Sequence, residues 1–469
     1  MNRVVPLILA VALFMEQMDS TVIATALPAI AADLHVGPIT LKLALTSYMV
    51  ALAIFIPVSG WMADRFGAKR IFRIAILVFV LGSILCALSG SVITFVGSRF
   101  LQGVGGAMMT PVGRLVLLRT TERRDLVSAM ALLTIPALVG PLTGPPIGGF
   151  ITTYFSWHWI FLINVPIGFA GIWLATIFLP EVPATSPPPI DWMGFVYTAL
   201  AASGIVFGLS VISLPALPPT IGIGATAIGV LAGILYVRHA RRHPAPLLDF
   251  RLFANPAFTA STISASIFRV STGAIPFLMP LMLQIGFGLS PFQSGLTTFV
   301  GAIGAITTKF MARRVFAAVG FRTMLIAATI VGSLATLANA FFVPATPYLV
   351  ITGFLLLAGF ARSFYFTGVN ALSYSEISDA DASQATSISS VLQQVSLALG
   401  VAAAAAILEA STALRGAPLQ IADFHIAFVV VSALSLVALW PMLGLARDAG
   451  AAVSGHRLAG AGHGDLAEK

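Results

Sequence analysis

Fourteen long apolar runs limit what this chain can fold into. They fall at about 6–30, 41–63, 71–90, 93–118, 128–152, 159–180, 192–213, 219–237, 257–285, 292–312, 321–343, 347–370, 383–408 and 424–446. Each is near the ~20 residues a helix needs to cross a bilayer, and too long for a barrel strand. Only 9% of the residues are charged, against about 25% in soluble domains. The expected fold is an all-α polytopic membrane protein with fourteen transmembrane helices.

Lys and Arg set the expected orientation. With the N-terminus in the cytosol, nineteen of the 25 basic residues fall in cytosolic segments and tails. Lys42 and Arg415 fall in outer loops, and Arg99, Arg114, Arg269 and Arg362 within spans. That bias predicts cytosolic termini and an even number of spans. The net charge of +8 therefore reflects span ends, and no nucleic-acid partner is expected. Glu16 and Asp19 would interrupt the apolar core of a signal peptide, so the first run reads as a span. A single cysteine, Cys86, excludes an intrachain disulfide and a cysteine-rich metal site. No metal and no other cofactor is expected.

Two stretches break the rhythm of spans. Residues 181–191, EVPATSPPPID, form a proline-rich linker in which no helix continues. Residues 238–256 mix arginines with Leu and Phe, as suits an amphipathic segment on the inner leaflet. The expected domains are a six-helix bundle at 1–180, the linker, an inserted helix pair at 192–237, the amphipathic segment, a second six-helix bundle at 257–446 and a cytosolic tail at 447–469.

The first run, LILAVALFMEQMDSTVIATALP, places Glu16 and Asp19 near mid-membrane. Each costs about 2.5–3.5 kcal/mol there, and three-residue spacing puts both on one helix face. Such acids mark proton or ion pathways, although a polar patch facing a wet crevice has the same spelling. Counted at 1.5 Å per residue, Asp19 lies ~20 Å from the inner surface and Arg99 ~9 Å from the outer one. In a ~30 Å core those depths are similar, so the two can meet. Arg269 is also near the midplane, where it can hold an anionic substrate or serve as a counter-charge to the acids. Arg114 and Arg362 read as snorkelling residues.

Around these charges, Met15, Met18, Met279, Met282, Phe268, Phe277 and Phe364 offer soft apolar surface. Such residues are usually packing, but adaptable Met-rich walls also suit varied ligands. Gln17, Gln284, Asn370, Gln393 and Gln394 are candidate polar contacts.

The loop after the second run reads Gly60-Trp-Met-Ala-Asp64-Arg65-Phe-Gly67-Ala-Lys69-Arg70. Positive-inside anchoring explains its basic residues but neither Asp64 nor the glycines. The fourth run carries Arg99-Phe-Leu-Gln102-Gly103-Val-Gly105-Gly106. The fifth carries Gly140-Pro141-Leu-Thr-Gly144-Pro145-Pro146-Ile-Gly148-Gly149. Trp157-His158-Trp159-Ile-Phe161-Leu-Ile-Asn164-Val-Pro166 follows. No HExxH, GxSxG or Walker A pattern occurs, and none of the seven histidines lies deep in a run, so an enzyme is not expected.

In these motifs the chain resembles the major facilitator superfamily, and within it the fourteen-helix drug:proton antiporters, most closely those of the MdtD type. The motifs occupy the first 170 residues; the remainder agrees in span count and layout. The resemblance implies two six-helix bundles that rock about a central cavity, with runs seven and eight as an added pair. It implies export driven by proton entry at a bacterial inner membrane. Asp19 would be the main coupling acid, with Arg99 beside it. Glu16 would be a second proton site or a polar cavity residue. Gly60, Asp64, Arg65, Gly67 and Arg70 would steady the inner gate. Gly140, Gly144, Pro145, Gly148 and Gly149 would form the antiporter motif, and close helix packing would explain the same residues. The second-half loop, Ala317-Ala318-Val-Gly320-Phe-Arg322, lacks the Asp-Arg pair.

The expected function is proton-coupled export of amphipathic organic compounds by alternating access. The alternatives are export of an organic anion or metabolite through Arg269, or a membrane-embedded transferase or sensor. The expected partners are a small-molecule substrate, protons and the lipid bilayer, with a monomer as the expected state.

Overall fold

The computed structural model describes residues 4–121, 126–181, 184, 189–212, 214, 217–378, 381–446 and 449–450. Most of the proline-rich linker and nearly all of the tail lie outside the described residues. The described residues form helices and loops without a strand. Fourteen long helices run α1 Val4–Thr25, α2 Lys42–Phe66, α3 Ala68–Ala87, α4 Val92–Thr120, α5 Leu126–Tyr154, α6 Trp159–Phe178 and α7 Trp192–Ile212. They continue as α8 Pro219–Ala240, α9 Pro256–Gly286, α10 Pro291–Val319, α11 Phe321–Ala338, α12 Tyr348–Tyr374, α13 Ala382–Arg415 and α14 Ile421–Leu443. Among the described residues, 12 helices are long and apolar enough to cross a membrane. The other two, α4 and α5, are 29 residues each. Arg99, Arg114 and Arg119 make α4 the more polar.

By compactness the chain divides into two units. Unit 1 is Met1–Phe250, Thr272–Phe299 and Ser387–Ala427; unit 2 is Arg251–Ser271, Val300–Thr386 and Phe428–Lys469. Helices α9, α10, α13 and α14 thus contribute to both. The core of unit 1 includes Leu9, Leu13, Phe72, Ile76, Phe79 and Met109. That of unit 2 includes Phe268, Phe316, Phe321, Leu325, Phe364 and Tyr365.

Outward faces are as apolar as the cores. On α3, Ile74, Leu77, Leu81 and Leu85 form an exposed stripe at helical spacing. Lipid tails are as apolar as such side chains, so burying them against a neighbour gains little in a bilayer. Helix contacts must come from small residues and polar bonds instead. The hairpin of α7 and α8 shows this: a Cβ on Gly204 would meet the Gly229 backbone, and one on Gly222 the Ile212 backbone. At one end of that hairpin, Asp191 Oδ1 accepts the Gly194 N–H at 2.8 Å and caps α7. Burial works against the Asp191 carboxylate, but the Gly194 N–H and the His239 ring outweigh it and hold its pKa below the usual value.

Helices α2 and α3 are joined through Gly67 alone, at φ +88°. A side chain is strained in that region, so glycine at this position follows from the turn. Gly320, between α10 and α11, has φ +78°. The two loops therefore share one turn device, although only the first carries an Asp-Arg pair.

Candidate functional site: a buried ion pair on the first helix

Asp19 is fully buried in unit 1, and side chains from two other helices, α4 and α6, converge on its carboxylate. Arg99 Nη1 of α4 donates to Oδ2 at 2.6 Å. Gln102 Nε2, one turn further along α4, donates to Oδ1 at 2.8 Å, and Asn164 Nδ2 of α6 donates to the same oxygen at 2.8 Å. Gln102 and Asn164 also donate to Ser83 Oγ of α3, at 2.7 and 3.2 Å. Arg99 donates in addition to the Gln102 side-chain oxygen. Its guanidinium lies over the Tyr48 ring of α2, 4.3 Å from the centroid. One carboxylate on α1 is thereby linked to α2, α3, α4 and α6.

Such a network stands only if its charges are matched and its polar atoms bonded. Two atoms are left over: Arg99 Nε and Asn164 Oδ1 have no hydrogen-bond partner among the described residues. The network is thus nearly, but not wholly, saturated: one N–H donor and one amide oxygen acceptor stay open.

Glu16, one turn before Asp19 and 5% exposed, has a different setting. Its described hydrogen bonds come from uncharged donors: Gln17 Nε2 at 2.6 Å, Tyr48 Oη at 3.4 Å and Thr110 Oγ1 at 3.4 Å. Tyr48 therefore touches both acids' surroundings, its hydroxyl toward Glu16 and its ring under Arg99. The face of α1 next to these acids is lined by the glycines of α5. A Cβ at Gly140 would lie 2.9 Å from the Phe14 carbonyl oxygen, and one at Gly144 or Gly148 would collide with Thr21 or Val22. Glycine spacing on α5 thus sets how close it comes to the acid-bearing helix. Pro145 accepts from Thr25 Oγ1 at 3.5 Å, and a Cβ on Gly149 would strike Pro291.

At the far end of α2, Asp64 Oδ1 accepts from Arg119 Nη2 at 2.6 Å. Arg65 and Arg70 are exposed, and Gly60 and Gly67 are half-buried. Lys69 reaches Glu181 at 3.2 Å. Asp64 and Arg119 are each about one-third exposed, so their pair contributes little stability, of order 0–1 kcal/mol. We expect Asp64→Asn to slow transport several-fold in vesicles while leaving protein abundance nearly unchanged. Turnover equal to that of the unmodified protein would remove Asp64 from the gate.

The opposite end of unit 1 also carries ion pairs. Lys42, fully buried at the start of α2, donates to Glu409 of α13 at 2.6 Å. Asp423 accepts from Arg415 and Ser411, each at 2.6 Å. Gln284 donates to the Thr25 carbonyl at 2.9 Å, and Phe292 N–H to Thr153 Oγ1 at 3.0 Å. Within unit 1, then, α1, α2 and α5 are bonded to the ends of α9, α10 and α13.

Unit 2 holds the remaining charged candidate. Arg269 is 7% exposed, donates to Asn370 Oδ1 at 3.4 Å and lies 5.2 Å from the Phe366 ring centroid. Phe268 is buried against Tyr365, their centroids 4.1 Å apart. Met15 and Met18 are buried in unit 1, and Gln17 and Gln393 are half-buried. Arg114 is exposed, whereas Arg362 is half-buried and donates to the Ala358 carbonyl at 3.3 Å.

Asp19, Glu16 and Arg99 stand out in the sequence as charges within apolar runs. Gln102 and Asn164 lie in the motifs but have no role legible there, nor have Ser83, Tyr48 and Thr110, and Arg119 reads only as one of the basic residues at a span end. An amide in an apolar run is a signal for Gln102 and Asn164. Ser83, Tyr48 and Thr110 carry none, because serine, threonine and tyrosine are ordinary inside membrane helices.

The fold is that of a polytopic helical membrane protein with a buried charge network in its first-half helices, and comparison with known proteins gives its class. The model of the Major Facilitator Superfamily matches residues 9–401. A relative in Escherichia coli O139:H28 called "Putative multidrug resistance protein MdtD" is 37% identical over 401 residues, 86% of this chain and 85% of that protein. A protein of the same name in Shigella boydii serotype 18 matches with the same identity and coverage. Among solved structures, a D-xylose-proton symporter aligns with TM-score 0.70 at 14% identity, over 95% of this chain and 98% of that one. The human organic anion transporter MFSD10 aligns with TM-score 0.62 at 15% identity, over 94% of this chain and 99% of that one. The chain belongs to the Major Facilitator Superfamily. It is a multi-pass membrane transporter.

Proposed function

We propose that the protein is a proton-coupled antiporter that exports amphipathic organic compounds from the cytosol across a bacterial inner membrane, with both termini cytosolic. One observation carries this reading: the buried Asp19–Arg99 pair, with the second acid Glu16 one turn away. A desolvated carboxylate that links five helices is placed to convert a proton into movement. Glu16, the more accessible of the two acids, receives the proton first. Transfer to Asp19 removes the charge that Arg99 answers, and the bonds from Gln102 and Asn164 weaken with it. The helices α1, α4 and α6 then lose what ties them, and the balance between two arrangements shifts. Substrate binding in the other arrangement restores the pair and expels the proton. The relatives named for multidrug resistance support a broad organic substrate range. The bonded end of unit 1, at Lys42–Glu409, corresponds to a sealed outer side.

The experiment uses proteoliposomes holding the purified full chain and an imposed proton gradient. A lipophilic drug should move against its concentration with the gradient and stop when an ionophore dissipates it. Drug movement unaffected by the ionophore would rule out proton coupling.

A second reading has its own observation. Arg269 is buried, but its partner Asn370 is exposed, so the guanidinium sits one residue from an accessible edge. This supports an organic anion as substrate. Arg269→Gln should then weaken anion binding by at least about tenfold and leave neutral or cationic compounds nearly unaffected, because only an anion loses a charge partner. Binding assays with all three classes decide it. Equal losses would assign Arg269 a structural role.

A further inference from the structure

Outside the charge network described above, the inserted hairpin closes on a second cluster of ionisable side chains. Asp191 precedes α7, His239 lies in the last turn of α8, and His243 follows in the turn after it. One ligand atom from each lies within 4.8 Å of the others. His239 Nε2 is 2.7 Å from Asp191 Oδ1. The two imidazole rings are 5.1 Å apart and tilted by 33°. Asp191 is buried at 7% exposed, and both histidines are half-buried.

We propose that Asp191, His239 and His243 bind a divalent transition-metal ion, zinc in the first instance. The donor set argues for that class: two imidazoles and a carboxylate suit Zn2+, whereas Mg2+ and Ca2+ take oxygen ligands. The sole cysteine, Cys86, lies in α3, so no thiolate draws the site toward softer ions. Three protein ligands leave the fourth tetrahedral position to water.

The surroundings are arranged to hold the ligands. Asp191 Oδ1 is fixed by the Gly194 N–H at 2.8 Å, and Oδ2 accepts a longer bond from the Leu247 N–H at 3.4 Å. Oδ2 is therefore the oxygen more easily given to a cation. His243 Nδ1 accepts from the Ala245 N–H at 3.2 Å, an exposed bond that a metal readily replaces. Tyr236 braces the returning chain from below, its hydroxyl accepting from Leu248 N–H at 2.6 Å and donating to Leu248 O at 2.9 Å. Tetrahedral zinc needs donors about 3.3 Å apart, from bonds near 2.0–2.1 Å. The wider-spaced donors, up to 4.8 Å apart, must close by roughly an ångström or more, which imidazole rotation supplies. The neighbouring Arg238, Arg241 and Arg242 are exposed. A bound ion would clamp both ends of the hairpin to the segment that follows it.

The test uses the full chain purified with a tag free of histidine and stripped with a chelator. Titration with Zn2+ in excess Mg2+ should show one tight equivalent, and Co2+ in its place should give the visible absorption of a tetrahedral ion. His239→Gln and His243→Gln should each weaken binding by about tenfold or more. No tight equivalent in the unmodified protein, or a variant that binds as tightly as the unmodified protein, overturns the proposal. Should the variants fail to accumulate, zinc-edge X-ray absorption on the unmodified protein decides. Two imidazole ligands are expected, and one or none overturns the site.

Discussion

Asp19→Asn is expected to abolish substrate-induced proton release while substrate binding persists. An amide of the same shape keeps the space and accepts or donates hydrogen bonds, but it can neither gain nor lose the proton. The bonds from Gln102 and Asn164 to this side chain, 2.8 Å each in the unmodified protein, have neutral counterparts in the variant. What disappears is the link between protonation and the hold of Arg99. A proton entering down 100 mV supplies about 2.3 kcal/mol, equivalent to a substrate ratio of roughly fifty-fold. All of that drive should be lost, so the variant equilibrates substrate without concentrating it. Glu16→Gln should slow proton release and leave it present, since its partners Gln17, Tyr48 and Thr110 serve an amide as well as an acid. Proton release is read with a pH-sensitive dye on purified protein as substrate is added. Release from Asp19→Asn equal to that of the unmodified protein would end the assignment. Loss only in Glu16→Gln would exchange the two roles.

The helices were legible because apolar length is a strong and local signal. The boundaries of α7, expected at 192–213 and found at Trp192–Ile212, show how far it carries. The meeting of Asp19 and Arg99 was legible for a related reason: a fixed rise per residue converts sequence position to height, and similar heights let the two pair. Depth says nothing of azimuth, however, so the convergence of Gln102, Asn164 and Ser83 on one carboxylate was not. Those contacts join residues up to 145 apart in the chain, and polar side chains of that size occur throughout membrane helices. Asp64 was read beside Arg65 and Arg70, its neighbours in sequence. The structure brings in Arg119 as well, from the end of another helix. The division into units was not legible either. Compactness depends on which helix ends pack together, and a hydropathy pattern carries no record of that. The metal-ligand cluster was hidden for a related reason: His239 and His243 are close in sequence, but Asp191 joins them only when the hairpin closes.

Arg99→Gln should be the most destabilising of the conservative changes at this site, and Asp19→Asn should reverse much of the loss. Removing one partner of a buried ion pair leaves the other charge in a low-dielectric interior, at a cost of about 3–5 kcal/mol. Asp19 is fully buried and Arg99 only 1% exposed, so water cannot screen the orphaned carboxylate. The loss of the guanidinium over Tyr48 adds a smaller term, of order 1–2 kcal/mol for a desolvated cation–π contact. When both charges are removed together, two amides stand where the ion pair was. They can bond to each other and to Gln102 and Asn164. A buried pair replaced as a pair is often nearly neutral in stability. The double variant should therefore melt close to the unmodified protein, although it carries no coupled proton. Thermal unfolding of all four proteins in detergent forms the complete cycle, and the interaction energy between the two sites is read from its closure. A double variant no more stable than Arg99→Gln alone would show that Arg99 holds this region through its other contacts, and that neutralising Asp19 is not its main task.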